Sequence, residues 1–412
     1  MAIPFFSVDM SDGEWPAYIK GLINHWGWFG EPSSKLGDYL QNRFPEHYAA
    51  LFPSARLAYY LLLRSSFRPG DEIILSAMSF PLYGKIAAQL GLKPVLVDVE
   101  EEHLTIDPDK LRSMVTAKTK AIVVTHLFGH PARMDELTKV ATEYEIPIIE
   151  DCAQSFDSSF QNQETGTFGW AGIVSCSLMK VPTTLGGGIF LTRDQNVVSR
   201  VKSLYRELNH STMPVKAVSY HMKGLVSILN SYPTLYTLFS HQVLGLIKKR
   251  NPTLLRNILY SGMGMNDRQF YPDERPLLAE YQREVGAVQF ARTEDMTIAR
   301  RRNSAIVDKA LDSHRSATVL TQSEDAYWNY QYHVVDLGAR MNDVFNYMFK
   351  RGIHVMKEDV WDCTAYNIRG LGANQCPIAS QRNCGLLRIP NNSFISEKTM
   401  IKVANVLLEA LK

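Results

Sequence analysis

The sequence lacks the features that mark several specialised classes of protein. No stretch reaches the roughly 18 consecutive apolar residues that a membrane-spanning helix needs. The start of the chain has no basic segment followed by an apolar one, so we expect no signal peptide. The five cysteines include no CxxC pair, which predicts free or buried thiols in a reducing cytoplasm. With 44 Lys and Arg against 42 Asp and Glu, the charge predicts no nucleic-acid partner.

Several catalytic and nucleotide-binding motifs are also missing. The chain contains no GxxxxGK[ST] phosphate loop and no GxSxG turn, and Gly262-Met-Gly264 lacks the third glycine of a dinucleotide-binding fingerprint. His126 and His130 have the spacing of metal ligands on a helix, but Gly129 and Pro131 would break a helix there. We therefore predict a loop at this position and no metal site.

What is present is a regular alternation of strand and helix patterns between residues 50 and 195. Short apolar runs at 72–75, 94–98, 121–125 and 147–150 alternate with helical patterns at 54–64, 82–90, 108–115 and 134–144. Such consecutive βαβ units predict the α/β class, with a mainly parallel sheet buried between helices.

The pattern changes after residue 290 and predicts a smaller α+β domain. A long charged helix at 293–311 is followed by strands at 330–335 and 386–389 and by helices at 341–351 and 397–411. We predict an N-terminal segment and large domain over residues 1–290, with an apolar helical insert at about 217–250. A linking helix and a small C-terminal domain would then occupy residues 291–412.

Two charged residues follow predicted strands of the large domain, and ligands of open α/β sheets bind beyond the carboxyl ends of strands. Asp151 follows the strand at 147–150, where a carboxylate can keep the ring nitrogen of pyridoxal phosphate (PLP) protonated. A helix N-cap is the alternative. Lys180 lies between an apolar strand and the glycines Gly186 to Gly188. A partly desolvated amine there suits imine formation with PLP, and a solvated surface lysine is the alternative.

Three further features agree with a bound PLP. Ser54, Ala55 and Arg56 open the first helix of the large domain, where backbone N–H groups and the helix dipole suit a phosphate. Phe80 follows a strand and could stack on a flat ring, although a core phenylalanine is more common. Gln154 lies one helical turn past the aspartate and could reach the phenolic oxygen of PLP.

The order and spacing of these segments resemble the DegT/StrS-type aminotransferases, fold-type-I PLP enzymes best known for aminating keto sugars on nucleotides. The resemblance covers nearly the whole chain, and Lys180 lies five residues past Ser175, as the family's Schiff-base lysine does. The other matching segments are Ile3-Pro4-Phe5, Gly70-Asp71-Glu72, 94–98, His126-Leu-Phe-Gly129, Ile149-Glu-Asp-Cys-Ala-Gln154, Gly166-Thr-Phe-Gly169, Cys376-Pro-Ile-Ala379 and 387–389.

The resemblance implies a PLP-dependent aminotransferase that works as a homodimer with shared active sites and takes its amino group from an amino acid such as glutamate. It implies that Lys180 carries the Schiff base and moves a proton, and that Asp151 pairs with the pyridinium. The cofactor contacts that it implies are Lys180, Asp151, Gln154, Phe80, Ser54, Ala55, Arg56 and Ser175.

The chain departs from the family pattern on the substrate side. The family usually has Ser-Gly-Thr where this chain has Ser54-Ala55-Arg56. The family's phosphate-binding asparagine from the neighbouring subunit falls on Arg275, which could clamp a phosphate or a carboxylate. We place His126 with Arg275 at the substrate or the neighbouring subunit. A non-sugar, apolar or membrane-associated acceptor is therefore the alternative to a nucleotide-linked keto sugar.

Residues 221–250 have no clear counterpart in the family pattern. Their apolar side chains recur at helical spacing and predict an amphipathic helix pair broken at Pro233. One interpretation is a lid or a dimer-packing helix. The other is a membrane-peripheral surface, with Lys248, Lys249 and Arg250 facing anionic headgroups.

Three activities are compatible with these residues. An aminotransferase is the leading hypothesis, a PLP-dependent lyase or dehydratase is the second, and a sensor or regulatory protein with the same fold is the third. Lys180 stands where the sugar-deoxygenating members have histidine, which favours transamination. A lysine, an aspartate and a phosphate cup occurring together argue against an inactive site.

Overall fold

The computed structural model describes residues 1–4, 7–10, 13–25, 34–208, 214–251, 270, 272, 278–312, 314, 317–320, 323–358, 361–366 and 376–412. In chain order its strands are β1 Tyr48–Phe52, β2 Glu72–Ser76, β3 Lys93–Val97, β4 Thr119–Thr125, β5 Ile148–Asp151, β6 Ser159–Phe160, β7 Gln163–Glu164, β8 Ala171–Ser175, β9 Gly188–Thr192, β10 Thr318–Val319, β11 Ala326–Tyr327, β12 His333–Asp336, β13 Met356–Lys357 and β14 Leu386–Ile389.

The α-helices are α1 Glu14–His25, α2 Lys35–Arg43, α3 Ala55–Ser66, α4 Pro81–Gln89, α5 Pro108–Met114, α6 Met134–Glu143, α7 Gln195–Glu207, α8 Pro214–Asn230, α9 Pro233–Leu235, α10 His241–Arg250, α11 Glu280–Ala291, α12 Thr293–Leu311, α13 Met341–Lys350, α14 Pro377–Asn383 and α15 Glu397–Ala410. A π-helical turn at Tyr236–Ser240 joins α9 to α10, and short 3-10 turns lie at Leu127–Gly129, Gly338–Arg340 and Cys363–Ala365.

The predicted α/β class with a mainly parallel sheet is confirmed. In the described part of the chain, the large sheet has the strand order β1-β9-β8-β5-β4-β2-β3. The four neighbouring pairs from β8 to β3 are parallel, whereas β9 runs antiparallel to both β1 and β8. The carboxyl ends of β2, β4, β5 and β8 therefore meet at one edge of the sheet.

The large sheet is buried on both faces, which explains why its strands are continuous apolar runs. Ile73 and Leu75 of β2 join one apolar cluster with α3 and α4, while Ile74 joins a second cluster with α5 and α6. Successive side chains of a strand point to opposite faces, so each strand contributes to both clusters.

A second sheet follows the long helix α12 and has the antiparallel order β10-β12-β14-β13. The strand predicted at 330–335 is shifted, because β12 begins at His333 and Tyr330 has a positive φ of 48°. Since a left-handed residue interrupts a strand, residues 328–332 instead form a loop that reaches the large sheet. The domain bounds 1–290 and 291–412 stay a prediction.

The helix pair predicted within 221–250 is present, and its apolar residues are divided between a buried and an exposed side. The chain breaks between α8 and α9, with Pro233 at the first helical position. Tyr236 is buried, whereas Met222, Val226 and Phe239 of the same predicted apolar face are exposed. Amphipathic spacing identifies the helix, but only the neighbouring elements decide which side they cover.

Lys248, which the membrane-peripheral interpretation turned toward lipid headgroups, instead points toward the C-terminal part of the chain. Its ammonium lies over the rings of Phe345 and Phe349, 4.7 and 4.1 Å from their centroids. Burial, together with Lys357 and Lys350, lowers the pKa of Lys248 to about 8.

The predicted free thiols are confirmed, because all five cysteines are unbridged and four of them are buried. No helix among the described residues has both the length and the apolar character to cross a membrane.

Candidate active site

Asp151 ends β5 and lies almost completely buried, with 2% of its surface exposed. Its Oδ1 accepts hydrogen bonds from the Tyr83 hydroxyl at 2.9 Å and from the Ala153 N–H at 3.0 Å. Thr125, which ends β4, donates to Oδ2 at 3.4 Å. Burial raises the pKa of Asp151, and the bonds from Ala153 and Tyr83 and the charge of Lys180 oppose that rise.

Lys180 lies in the loop that follows β8, and its amine points to the C-terminal part of the chain. The Lys180 Nζ donates a hydrogen bond to the Tyr332 hydroxyl at 3.2 Å and lies 5.0 Å from the ring centroid. Asp151 ends β5 and Lys180 follows β8, and these two strands are parallel neighbours in the large sheet. The two residues therefore follow the same edge of the sheet, as two groups that serve one ring require.

The loop that carries Lys180 is clamped by one amide side chain. Gln331 Nε2 donates to the Met179 carbonyl at 3.0 Å, and its Oε1 accepts from the Val181 N–H at 3.1 Å. The two backbone groups belong to the residues on either side of Lys180. Gln331 therefore fixes the backbone from which the lysine side chain extends.

Gln154 and Phe80 lie close to this centre. Gln154 is 3% exposed, and its Oε1 accepts from the Phe128 N–H at 2.8 Å, which leaves the Nε2 amide as the group that can donate to a ligand. Phe80 caps the start of α4, and its half-buried ring contacts the rings of Tyr83 and Trp361. Both positions are compatible with the contacts expected from the sequence.

The predicted phosphate residues come together at the start of α3. Ser54 is the N-cap, and its hydroxyl accepts from the Leu57 N–H at 3.2 Å. Ser175 pairs with Gly188 in the sheet. A Cβ on Gly188 would lie 2.2 Å from the Ala55 nitrogen, so only glycine lets this strand approach the helix start. The first N–H groups of a helix have no partners within it and form an anion site.

The chemistry of these residues fits PLP. A carboxylate whose pKa is raised by burial gains from a cation beside it, and a protonated ring nitrogen is such a cation. Lys180 supplies an amine at the same edge of the sheet, and the turn from Ser54 to Arg56 supplies an anion site at the start of α3. The donor set therefore matches a planar, cationic ring with a phosphate arm.

His126 does not occupy the position predicted for it at the substrate. The side chain is completely buried, and both ring nitrogens have partners within the protein. Nδ1 accepts from the Ala132 N–H at 3.0 Å, so Nε2 donates to Glu150 Oε2 at 3.0 Å. His126 is a structural residue beneath the site, because its ring has no atom left for a ligand.

The prediction of a loop rather than a metal helix at His126 agrees with the 3-10 turn found there. His126, Glu150 and Cys152 have ligand atoms within 4.8 Å of one another. Glu150 accepts from the N–H groups of Gly166 and Gly169, each at 2.7 Å, in addition to His126. Since burial and the neighbouring carboxylates Glu150 and Asp151 raise the pKa of Cys152, this group is a hydrogen-bonded core and a poor metal site. Arg275 lies outside the described residues.

Three contributors were missed from the sequence: Tyr83, Gln331 and Tyr332. Tyr83 could have been found, since it lies one helical turn past Phe80 on the helix that opens at the site. Gln331 and Tyr332 follow no strand of the large sheet, so no local pattern connects them to Lys180. Only the folding of the C-terminal part against the large sheet brings them there.

Comparisons with known proteins identify the family and the fold of the chain. The sequence profile of the DegT/DnrJ/EryC1/StrS aminotransferase family matches residues 17–225, about half of the chain. The chain is 36% identical over 135 residues to the L-glutamine:2-deoxy-scyllo-inosose aminotransferase of Streptomyces fradiae, which covers 33% of this chain and 32% of that protein. Such matches span about half or less of the length of these curated relatives.

Two solved structures share the fold over the whole chain. An aminotransferase from Streptoalloteichus hindustanus superposes with a TM-score of 0.77 at 17% identity, covering 100% of this chain and 99% of the other. The PLP form of a protein described as a sugar aminotransferase in Streptococcus pneumoniae gives a TM-score of 0.74 at 18% identity, covering 100% of both chains. At these identities, the similarity concerns the fold.

Proposed function

Because this chain belongs to the DegT/DnrJ/EryC1/StrS aminotransferase family, we propose that it is a PLP-dependent aminotransferase that moves an amino group from an amino acid to a keto or aldehyde acceptor. The observation that supports this most directly is geometric: Asp151 ends β5, Lys180 follows β8, and these two strands are parallel neighbours in the large sheet. When bound, PLP supplies a carbonyl that condenses with amines and a ring that withdraws electrons.

In this proposal, each residue of the chain has a separate task. Lys180 offers the amine that holds the cofactor and moves a proton, while Tyr332 and Gln331 set the position of that amine. Asp151 holds a proton on the ring nitrogen by staying ionised. The phosphate is bound by Ser54, Ala55, Arg56 and Ser175. The cofactor ring is contacted by Gln154 and Phe80.

The test is donor-dependent conversion of the loaded protein in the absence of an acceptor. The purified protein is given PLP, and the visible absorbance band is followed while glutamate or glutamine is added. An aminotransferase consumes one donor per bound cofactor and shows a matching loss of the band. The Lys180→Ala variant should show neither the band nor the conversion.

The same experiment separates the competing activities. A lyase or dehydratase would show the band without stoichiometric conversion by the donor, and a protein with an inactive site would show no band. Either result would end the aminotransferase proposal. Wild-type turnover by Lys180→Ala would instead overturn the assignment of the lysine.

The acceptor we propose is a keto sugar or a related polyhydroxy ketone. Relatives and neighbours named as sugar or inosose aminotransferases support this class. The replacement of the family's Ser-Gly-Thr by Ser54-Ala55-Arg56 keeps a non-sugar acceptor as the alternative. Equilibrium binding of candidate aminated products to the loaded protein distinguishes the two, since an amino sugar or amino polyol should bind more tightly than an apolar amine without hydroxyl groups; the opposite order would favour the non-sugar acceptor.

We also propose a homodimer with shared active sites, located in the cytoplasm. Family precedent supports the dimer, and the five unbridged cysteines support a reducing compartment. Sedimentation equilibrium tests the dimer, and a monomer at micromolar concentration would contradict it. Fractionation of the source cells tests the location.

A further inference from the structure

Half of the exposed large apolar side chains among the described residues lie on one short helical segment. We define the outer face as the exposed apolar residues Met222, Val226, Leu229, Tyr232, Leu235, Leu238, Phe239, Val243 and Leu246. Their exposed fractions run from 37% to 65%. Contiguous exposed apolar surface on a folded protein marks a place where something binds.

The orientation of this segment is fixed by its other side. Ser231 Oγ accepts from the Val8 N–H at 2.6 Å, and Ile228 is completely buried. Farther along, the Tyr236 hydroxyl hydrogen-bonds His354 Nδ1 at 2.5 Å. His221, the first residue of α8 whose side chain the structure describes, stacks on Tyr18 with 5.5 Å between the ring centroids. The segment is therefore held along its length, and the outer face points away from the body.

The charge of the surrounding sequence identifies the partner. Between Glu207 and Asp267 the chain has no Asp or Glu and six Lys and Arg, one of which, Lys248, points inward, although the whole chain has 44 basic and 42 acidic residues. Lys223 and Arg250 lie near the two ends of the outer face and are exposed. An apolar face accompanied by basic residues is the pattern of a helix that lies in the interface of an anionic bilayer.

A second copy of the chain fits this surface less well. An isologous dimer with its two-fold axis through the outer face would bring together two segments without acidic residues. Like charges at an interface oppose association, whereas anionic headgroups attract the same residues. We propose that the outer face docks on an anionic lipid surface, with its apolar side chains entering the headgroup region and no part of it crossing the bilayer.

Vesicle flotation of the full-length protein tests this proposal. We expect the wild type to float with vesicles of phosphatidylcholine and phosphatidylglycerol, and at least tenfold less with phosphatidylcholine alone. A triple variant Leu238→Gln, Phe239→Gln, Leu246→Gln should lose at least tenfold of the binding to anionic vesicles. The matched control Ile298→Gln, Phe394→Gln, Ile401→Gln removes three exposed apolar side chains elsewhere and should float like the wild type.

Two results would overturn the proposal. One is a wild type that stays at the bottom of the gradient with anionic vesicles, and the other is an outer-face variant that floats as well as the wild type. Sedimentation of the same variants identifies the competing occupant: if the outer-face variant alone dissociates, the face is a subunit contact. Thermal melts of all variants confirm that they fold, and none of these results depends on catalytic activity.

Discussion

The Lys180 ammonium donates a hydrogen bond to the hydroxyl of Tyr332, with 3.2 Å between Nζ and Oη. The Tyr332 ring is buried and lies 4.0 Å from the Arg388 guanidinium carbon, and Arg388 pairs with Glu358 at 3.2 Å. The position of the lysine amine is thus set from the C-terminal part of the chain. The large sheet supplies the loop that carries the lysine.

Tyr332→Phe should keep PLP binding but slow turnover about tenfold, because one hydrogen bond to a charged group contributes roughly 1.5 kcal/mol. The pH dependence of the visible band should also shift, since the amine loses its acceptor. Steady-state kcat and a spectroscopic pH titration measure both effects. Tyr330→Phe is the control, because the Tyr330 ring stacks on Trp328. Equal behaviour of the two variants would contradict the role of Tyr332.

Asp151→Asn should stabilise the cofactor-free protein at neutral pH and weaken its binding of PLP. Burial raises the pKa of Asp151, so the folded protein holds this proton more tightly than the unfolded chain does. Stability is therefore lost as pH rises from the unfolded pKa near 3.9 through the raised folded value.

A neutral amide at position 151 removes that loss, and we expect the melting temperature of the cofactor-free variant to rise by roughly 2 °C. Melts with and without PLP measure both effects. Two results would refute the role of the carboxylate. One is a variant that melts below the wild type without PLP, and the other is a variant whose melting temperature rises with PLP as much as that of the wild type.

Tyr83→Phe should weaken PLP binding about fivefold, because the hydroxyl that stabilises ionised Asp151 is removed and one hydrogen bond contributes roughly 1 kcal/mol. The control is Tyr59→Phe. The Tyr59 ring contacts Tyr83 at 4.4 Å, but its buried hydroxyl has no hydrogen-bond partner in the described part of the chain. We expect this control to keep its PLP affinity and to be neutral or slightly stabilised. Fluorescence titration with PLP compares the two.

Gly188→Ala should disrupt the phosphate site, because the added Cβ would lie 2.2 Å from the Ala55 nitrogen and neither backbone can move freely. We expect a lower melting temperature and at least tenfold weaker PLP binding, measured by calorimetry. Gly37→Ala is the matched control, since nothing lies within 4 Å of a Cβ there. Alanine in that helix should be neutral or stabilising, by up to about 1 kcal/mol. Unchanged PLP affinity in Gly188→Ala would place the phosphate elsewhere.

Acid should weaken the attachment of the helices at 233–250. His354 bonds Tyr236 and His241, and burial, together with His241 and Lys248, lowers the pKa of His354 to about 3. In the unfolded chain a histidine has a pKa of about 6.5, so the unfolded state takes up this proton more readily than the folded state does. The free energy of unfolding therefore decreases as pH falls from about 6.5 toward 3. Thermal melts over this range should show a smaller loss for His354→Gln than for the wild type and for His314→Gln. Equal losses in all three would contradict the prediction.

The alternation of apolar runs and helical patterns predicted the bounds of β2 to β5 to within two residues, because each of these strands is an apolar run buried on both faces. It gave no bounds for β1 or β9, and it did not show that β9 runs antiparallel, since the direction of a strand leaves no mark on its composition. The same limit applies to the helices at 221–250. Their spacing predicted them, but Tyr236 faces the body and Phe239 faces outward for reasons that lie in α1 and the C-terminal part.

The sequence by itself predicted which candidate site residues lie at the ends of strands, such as Asp151 and Lys180, because topology gathers the ends of parallel strands at one edge. Tertiary structure decided the rest. It buried His126 against Glu150, and it brought Tyr332 to Lys180 across a separation of more than a hundred residues. Contacts between distant segments depend on how whole elements pack, and local spacing carries no information about that packing.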